Sequence, residues 1–472
     1  MDLFHTAIIG GGISGLSTAY ELFRLAAREK VPLKIALFEA RDRFGGVIRT
    51  VDQKPFIMEA AADAFFAGGS RGPEIAEFCD SLGLSGDLVE ASSSFRRFFI
   101  LKEKSLISLP NSFAAFDPFA LFLSPLLGFS AKARLLLEPW IPRRRIPGDE
   151  SIGHFLRRRL GAAFYREAVR PVVRGVYMAD PEDLSLEAVF PGLGKREQIY
   201  GSLTNAALAG WFKKNKSGPD RFLNFKNGLG SLTGALVREL SSCELRVSSP
   251  VHRWGSDAAG NFIIPEGGKT FRADAVCLAM NATDAAPLLK EADPVLSRDL
   301  AGIRYDSILT FSFIFKTADL PRQTPGPGFI VPASGEIFPF SSLKWFDLPG
   351  GTHRGLRVFI SEAMLPEIFR EDDGTVKTKI LRELKECFGI QSAPEFVMAE
   401  RYPKALPRYE VGHNERIAGI EAGLQKHPGL FLTGNGFRGF GITDCIHAAK
   451  AAARKILTYC QRSVPTTPSG RL

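Results

Sequence analysis

Apolar positions along this chain alternate between short unbroken runs and stretches spaced three and four apart. Residues 6–9 form a run of strand length that stops at Gly10-Gly11-Gly12. Beyond the glycines, Leu16, Ala19, Tyr20, Leu22 and Phe23 recur as the buried stripe of an amphipathic helix. Pro32 opens a second run, 33–38, which closes on Glu39. The pattern predicts a β-α-β unit over the first fifty residues. Residues 111–209 are punctuated by proline and mostly helical in spacing. Strand-length runs return at 245–249, 275–279, 308–315 and 356–361. The end reads as a strand at 430–432, a glycine-rich turn and an Ala-rich helix from Asp444. No internal repeat is apparent.

Composition narrows the class. A chain of 472 residues is long enough for two or three domains. With 46 glycines, 30 prolines and 45% apolar residues it is neither low-complexity nor short of core. Collagen-like, disordered and disulfide-stapled proteins are excluded. The net charge of +9 is uneven: residues 110–219 hold 16 Lys/Arg against 10 Asp/Glu, with runs at 143–145 and 157–159. Such a lobe is drawn to anionic surfaces. Phe113, Phe116, Phe119 and Phe122 recur there every three residues, a pattern that suits an interfacial helix and equally a core stripe. The six cysteines include no C-x-x-C pair, the usage of buried thiols in a reduced compartment. The seven histidines show no H-x-x-x-H spacing, so no metal site is expected. Residues 1–16 lack the basic start of a signal peptide, and the greasiest stretch, 113–129, is broken by Asp117-Pro118 and Pro125.

Gly10-Gly11-Gly12-Ile13-Ser14-Gly15 fits G-x-G-x-x-G in the context that motif needs, with a strand before and a helix after. The glycines let backbone approach a pyrophosphate, and the helix N-terminus supplies free N–H groups. Glu39 is placed to accept from ribose hydroxyls; it would repel a phosphorylated ribose, which favours FAD or NAD over NADP. Arg43-Phe44-Gly45-Gly46-Val47-Ile48-Arg49-Thr50 adds a second glycine turn and two arginines suited to phosphate charge, although alone it would also suit a solvated turn. Near the end, Gly434, Gly436, Gly439 and Gly441 let the chain lie flat against a ring, and Asp444 can cap the next helix. That helix N-terminus would stabilise an anion on the ring. No Ser-His-Asp, Cys-His or paired-carboxylate constellation is apparent, and no catalytic residue is assigned. The arginine runs are not set in a nucleic-acid-binding motif, so nucleic acid is excluded as a partner.

With the first motif, residues 43–50 resemble the R-x-G-G-x-x-[RS]-T signature of the flavin-containing amine oxidase, carotenoid desaturase and protoporphyrinogen oxidase superfamily. Four further stretches look specifically like the protoporphyrinogen/coproporphyrinogen oxidase family. They are ESIGHFLRRRLG at 150–161, GVYMADPEDLS at 175–185, RYPKALPRY at 401–409 with Gly412-His413, and GNGFRGFGITDCI at 434–446. There are departures. The family's E-x-G-P-[DN]-S-F stands here as Glu59-Ala60-Ala61-Ala62-Asp63-Ala64-Phe65, Met178 replaces an alanine and Arg408 a glutamine.

The resemblance implies an α/β (α+β) fold: a Rossmann-like FAD-binding domain, an inserted mixed-sheet substrate domain and a helical membrane-associated lobe. It implies a discontinuous layout, with FAD-binding segments at 1–85, 210–290 and 398–460, substrate-domain segments at 86–110 and 291–397, the helical lobe at 111–209 and a disordered tail at 461–472. It assigns FAD contacts to Gly10, Gly12, Ile13, Ser14, Gly15, Glu39, Arg43, Gly45, Gly46, Val47, Ile48, Arg49, Val251, Gly434, Asn435, Gly441 and Ile442. Arg97 would pair with a propionate, Gly175 would lie between flavin and substrate, and Ile330 and Ile337 would sandwich a pyrrole ring. The implied reaction, in heme biosynthesis, is the six-electron oxidation of protoporphyrinogen IX to protoporphyrin IX, with FAD as acceptor, dioxygen as oxidant and hydrogen peroxide as co-product. Coproporphyrinogen III to coproporphyrin III stays open as the alternative; amine oxidation and carotenoid desaturation are more distant ones. The implied partners are the porphyrinogen, dioxygen, the cytoplasmic face of a membrane in peripheral contact, a second copy in a homodimer and a chelatase that takes the product.

Overall fold

The computed structural model describes residues 3–91, 97–109, 122–124, 126–145, 148–212, 221–257, 260–266, 269–322, 324–326, 328–335 and 337–463. Two units form: Met1–Val89 with Leu223–Arg304 and Glu415–Leu472, and Glu90–Phe222 with Tyr305–Asn414.

The first, the nucleotide unit, is built on a parallel sheet in the order Glu244–Arg246, Leu33–Phe38, Phe4–Ile9, Ala275–Leu278, Leu430–Leu432. Parallel strands are covered on both faces, which is why their sequences are unbroken apolar runs. Ala275, Val276, Cys277 and Leu278 are all fully buried. Helices Ile13–Glu29 and Ile442–Ser463 share one core with the sheet through Leu16, Ala19, Ile446, Ala453 and Ile456. An antiparallel sheet of Gly255–Ser256, Phe262–Glu266 and Lys269–Ala273 leads into Ala275–Leu278.

The second, the sheet unit, carries seven strands in the order Phe396–Pro407, Tyr305–Lys316, His353–Ser361, Ser342–Asp347, Gly328–Pro332, Phe98–Lys102, Ser105–Ser108. All neighbours are antiparallel except Gly328–Pro332 with Phe98–Lys102. Side chains alternate across the sheet. One face sends Phe311, Phe313, Leu343, Trp345 and Val358 into a core with Val376, Ile380 and Leu384 of helix Asp373–Phe388. On the other, Ile100 and Val331 meet Val172 of helix Arg170–Tyr177.

Several expectations change here. The helices between 129 and 212 fall in the same unit as the large sheet and pack around a core of their own that includes Phe155, Leu160, Phe164 and Leu203. The seam expected at 398 falls at Glu415, because Phe396–Pro407 is hydrogen-bonded along Tyr305–Lys316 as a sheet strand. Residues 461–463, expected in the tail, are the end of the last helix, Ile442–Ser463. The basic run at 157–159 is not simply a charged surface. Arg159 is fully buried against an equally buried Glu138, and Arg158 bridges Glu197 at 2.6 Å and Glu150 at 3.0 Å. Glu138 also accepts from the Leu203 and Thr204 N–H groups, both at 3.0 Å, so the pair is hydrogen-bonded as a buried ion pair must be. Phe113, Phe116 and Phe119 lie outside the described residues; Phe122 packs against the helical core. Among the described residues no helix is long and apolar enough to cross a membrane.

Candidate functional site

Strand order reverses around Phe4–Ile9, and the site grows from the C-terminal edge at that point. Gly10 donates to the Phe38 carbonyl at 2.8 Å and turns away with φ +112°. A Cβ on Gly10 would sit 2.3 Å from the Ala279 oxygen, and one on Gly15 only 1.8 Å from the Gly10 oxygen. Only glycine fits either place. Helix Ile13–Glu29 then begins at Gly12 with no side-chain cap, leaving its first N–H groups for an anion. Glu39 is buried beside this turn. Its Oε2 accepts from the Gly11 N–H at 2.7 Å and its Oε1 from the Arg41 N–H at 2.8 Å. Each oxygen keeps a second lone pair for a hydroxyl. Ser248 and Ser249 donate to the Arg41 and Glu39 carbonyls at 2.7 and 2.8 Å, which brings the segment leading to Val251 to the same edge.

The second turn is joined to the first through backbone. Gly45 donates to the Gly11 oxygen at 2.8 Å, and Gly12 and Gly45 pair in parallel. Arg43 holds the second turn in shape. Its Nη2 donates to the Gly46 oxygen at 2.8 Å and its Nη1 to the Ile48 oxygen at 3.2 Å, so the guanidinium braces its own loop. Ile48 points into the core, while Val47 and Arg49 are exposed. Glu59 was not singled out from the sequence. It is buried, accepts from the Leu229 N–H at 2.7 Å, Asn224 Nδ2 at 3.1 Å and Thr50 Oγ1 at 2.8 Å, and ties the end of the second turn to the segment 224–229. A lone acid at the end of the apolar strand Phe56–Glu59 was the available signal.

The closing turn arrives one strand away. Thr433 donates to the Leu278 oxygen at 3.0 Å, and a Cβ on Gly434 (φ +142°) would sit 3.1 Å from the Met280 oxygen. The opening and closing glycines thus press on the same dipeptide, Ala279-Met280. Asn435 follows, and Gly441 and Ile442 start the last helix. Asp444 does not cap from outside, as expected. It sits at the third helical position, reaches back to the Gly441 N–H at 3.3 Å and pairs with Arg71, one half of a capping box. Two uncapped or self-capped helix N-termini and three glycine turns at one sheet edge make a cradle for a dinucleotide with a flat ring.

The four candidates for substrate contact lie in the sheet unit. Arg97 is exposed just before strand Phe98–Lys102, its Nη1 3.3 Å from where a Gly326 Cβ would be. Gly175 packs against the sheet: a Cβ there would be 2.2 Å from Val331 Cγ1, and its carbonyl accepts from Ser342 Oγ at 2.9 Å. Ile330 is a correction. It is fully buried in the core under helix Asp373–Phe388, and its neighbour Val331 is the residue that faces Gly175. A one-residue step along a strand changes the face. Ile337 is 92% exposed, on an open groove of about 480 Å³ beside Met364, Leu365 and Arg382.

The chain matches the family described as flavin containing amine oxidoreductase over residues 13–457. The chain belongs to that family. It is 28% identical to the coproporphyrinogen III oxidase of Bacillus subtilis (strain 168), over 96% of this chain and 98% of the relative. It is 27% identical to the protoporphyrinogen oxidase of Homo sapiens, over 95% and 98%. The crystal structure of a provisionally named protoporphyrinogen oxidase from Exiguobacterium sp. 255-15 superposes with a TM-score of 0.82 at 26% identity, covering 97% of this chain and 99% of that one. The protein is a flavin oxidoreductase of the group that contains these porphyrinogen oxidases, and its cofactor is FAD. The cradle fits that group: glycine backbone for the pyrophosphate, Glu39 for the ribose and the Ile442–Ser463 helix N-terminus for the ring.

Proposed function

We propose that the chain oxidises a porphyrinogen to the porphyrin, removing six hydrogens in three two-electron steps, with dioxygen as final acceptor and hydrogen peroxide as co-product. The observation that carries this reading is an aromatic ladder on the face of the sheet that helix Asp373–Phe388 does not cover. Phe98 and Phe329 stack at 5.6 Å and 18°, and Phe329 and Phe359 at 6.5 Å and 20°. A slab this broad suits a large macrocycle better than the small amine of an amine oxidase. When bound, FAD supplies the two-electron acceptor that dioxygen re-oxidises. The residues of this chain hold and orient: Arg97 offers a cation to a propionate, and Gly175 keeps a side chain out of the space beside Val331. Protoporphyrinogen IX and coproporphyrinogen III both answer to this reading, and both kinds of relative support it. Side-by-side turnover in air, followed by porphyrin fluorescence, tests it; growth with neither substrate rejects it.

The same reading includes peripheral membrane contact, a homodimer and transfer of the product to a chelatase. The membrane contact is supported by large apolar side chains left in solvent on the helical part of the sheet unit: Phe129 89%, Leu123 77%, Trp140 77% and Ile199 72% exposed. Lys132, Arg143 and Arg145 lie close to them in the chain. Flotation with anionic vesicles should fall for Phe129→Ser combined with Trp140→Ser, and unchanged flotation would reject this surface.

A further inference from the structure

The segment Tyr165–Met178, whose helix Arg170–Tyr177 carries Gly175, is tied to the large sheet by serine hydroxyls at three points. Ser334 donates to the Arg166 carbonyl at 2.7 Å, Ser342 to that of Gly175 at 2.9 Å, and Ser361 to that of Met178 at 3.4 Å. Arg166 lies in the π turn Tyr165–Val169 that leads into the helix, and Met178 ends it. Met178 is buried with φ +54°, a left-handed conformation that a methionine keeps only where its surroundings impose it. The bond at that end differs from the other two. Ser361 Oγ also meets Asp306 Oδ2, and it accepts from the Met364 N–H at 3.2 Å. Asp306 is 4% exposed; its Oδ1 accepts from the Ala363 N–H at 3.1 Å and lies 3.8 Å from Arg408 Nη2. Met178 and Arg408, two of the positions at which the chain departs from the family pattern, thus meet at one buried carboxylate.

We infer that Asp306 is a positioning residue for porphyrinogen turnover, acting through Ser361 on Met178 at the end of the helix that bears Gly175. The inference rests on the porphyrinogen reading above and deepens it. A hydroxyl has one proton to give and two lone pairs. The Met364 N–H takes one lone pair of Ser361. When Asp306 is ionised, the Ser361 proton goes to the carboxylate and the Met178 carbonyl loses its bond. When Asp306 is protonated, its O–H fills the second lone pair of Ser361, and the Ser361 proton is released to Met178. The helix end is therefore held by a neutral Asp306 and slackened by an ionised one. Burial raises the Asp306 carboxyl above its ordinary value, against the Ser361 and Ala363 donors and the charge of Arg408. The other titratable groups on the elements around it are Tyr402 and Lys404 on the neighbouring strand, Glu362 after Ser361, and Arg174 on the helix. Arg408 is the charge that acts on it most strongly.

The test follows kcat/KM of the FAD-loaded enzyme from about pH 5 to about pH 9, with coproporphyrinogen III and with protoporphyrinogen IX. The value should fall about fivefold as Asp306 ionises, the worth of one hydrogen bond. Asp306→Asn, whose amide donates to Ser361 at every pH, should flatten that fall to less than about twofold. Arg408→Gln should keep the fall and move its midpoint up by about one pH unit, since an adjacent cation favours the ionised form. A fall of the same size in Asp306→Asn, or a midpoint that Arg408→Gln leaves in place, would overturn the inference. A second measurement needs neither turnover nor a folded asparagine variant. Amide hydrogen exchange over residues 173–182 of the FAD-loaded enzyme, corrected for the intrinsic rate, should quicken about fivefold across that range. Arg408→Gln should shift its midpoint likewise, and exchange that stays level with pH would overturn the role of Asp306. An enzyme that oxidises no porphyrinogen rejects the parent reading and leaves exchange to judge Asp306, whereas turnover without the pH pattern rejects only Asp306.

Discussion

The two units build their chemistry from different parts of the chain. In the nucleotide unit the site is backbone: Gly10, Gly15, Gly45 and Gly434 bring N–H groups and carbonyls together at distances that a Cβ would block. In the sheet unit the face is side chain: Phe98, Phe329 and Phe359 matter by what they are and by which way the strand turns them. A backbone site tolerates no substitution but specifies little about what lies beyond a nucleotide. A side-chain face tolerates exchange residue by residue, and that is where substrate preference can change. The difference explains how one fold can match both amine-oxidising and porphyrinogen-oxidising proteins.

The sharpest way to break the comparison is to add a side chain to the backbone site. Gly15→Val places carbon where the Gly10 oxygen sits, 1.8 Å away, and the purified protein should lose its visible flavin absorption altogether. Gly175→Val, the matching change in the sheet unit, meets Val331 at 2.2 Å. It should keep FAD and lose turnover by about 100-fold, the usual consequence of misplacing reactants by an ångström. A colourless Gly175→Val protein would mean that the two units are not separable in this way. Arg97→Ala removes one charged contact worth about 1.5–3 kcal/mol, so kcat/KM for a porphyrinogen should drop about 10- to 100-fold with the flavin spectrum unchanged. Unchanged kinetics would take Arg97 out of the site.

The smallest effect concerns thiols, mostly in the nucleotide unit's core. Burial pushes Cys79 and Cys445 up to about 11 and Cys277 and Cys460 up to about 12. These thiols are neutral in the folded chain at pH values where an unfolded thiol, ordinarily near 8.5, already ionises. Their contribution to stability is complete below that pH and is lost as pH rises through about 11 and 12. Melting temperature should therefore hold level to about pH 8 and decline above it, and a thiol reagent at pH 8 should leave all four unmodified until the protein unfolds. Prompt labelling of Cys277 would contradict its place in the central sheet.

What could be read from residues alone follows the same division. The strand at 430–432, the glycine turn at 10–15 and Glu39 were legible because each is local: an unbroken apolar run, a fixed spacing, an acid at a strand's end. The bonds from Arg43 to its own loop carbonyls were not, because they depend on where the loop folds back. Ile330 was misplaced by one residue, since in a run such as Gly328–Pro332 both faces are apolar and alternation gives no phase. The buried Arg159–Glu138 pair was hidden for a further reason: its partners are separated by a turn and a helix, and charge counts cannot tell solvated arginine from buried. The contact of Ser361 with Asp306 needed the pairing of two strands before it existed as a feature at all.

The nucleotide unit's fifth strand and its second great helix come from the last segment of the chain, after the whole of the sheet unit has been made. During synthesis, therefore, the first strands and the opening glycine turn emerge long before the Leu430–Leu432 strand that completes their sheet. A chain that lacked the residues from 430 on would hold every segment of the sheet unit and a nucleotide unit with an open edge. The closing turn at Gly434 is made only after that strand, so until then the cradle lacks one of its glycine turns and the open edge is what most needs protection from aggregation.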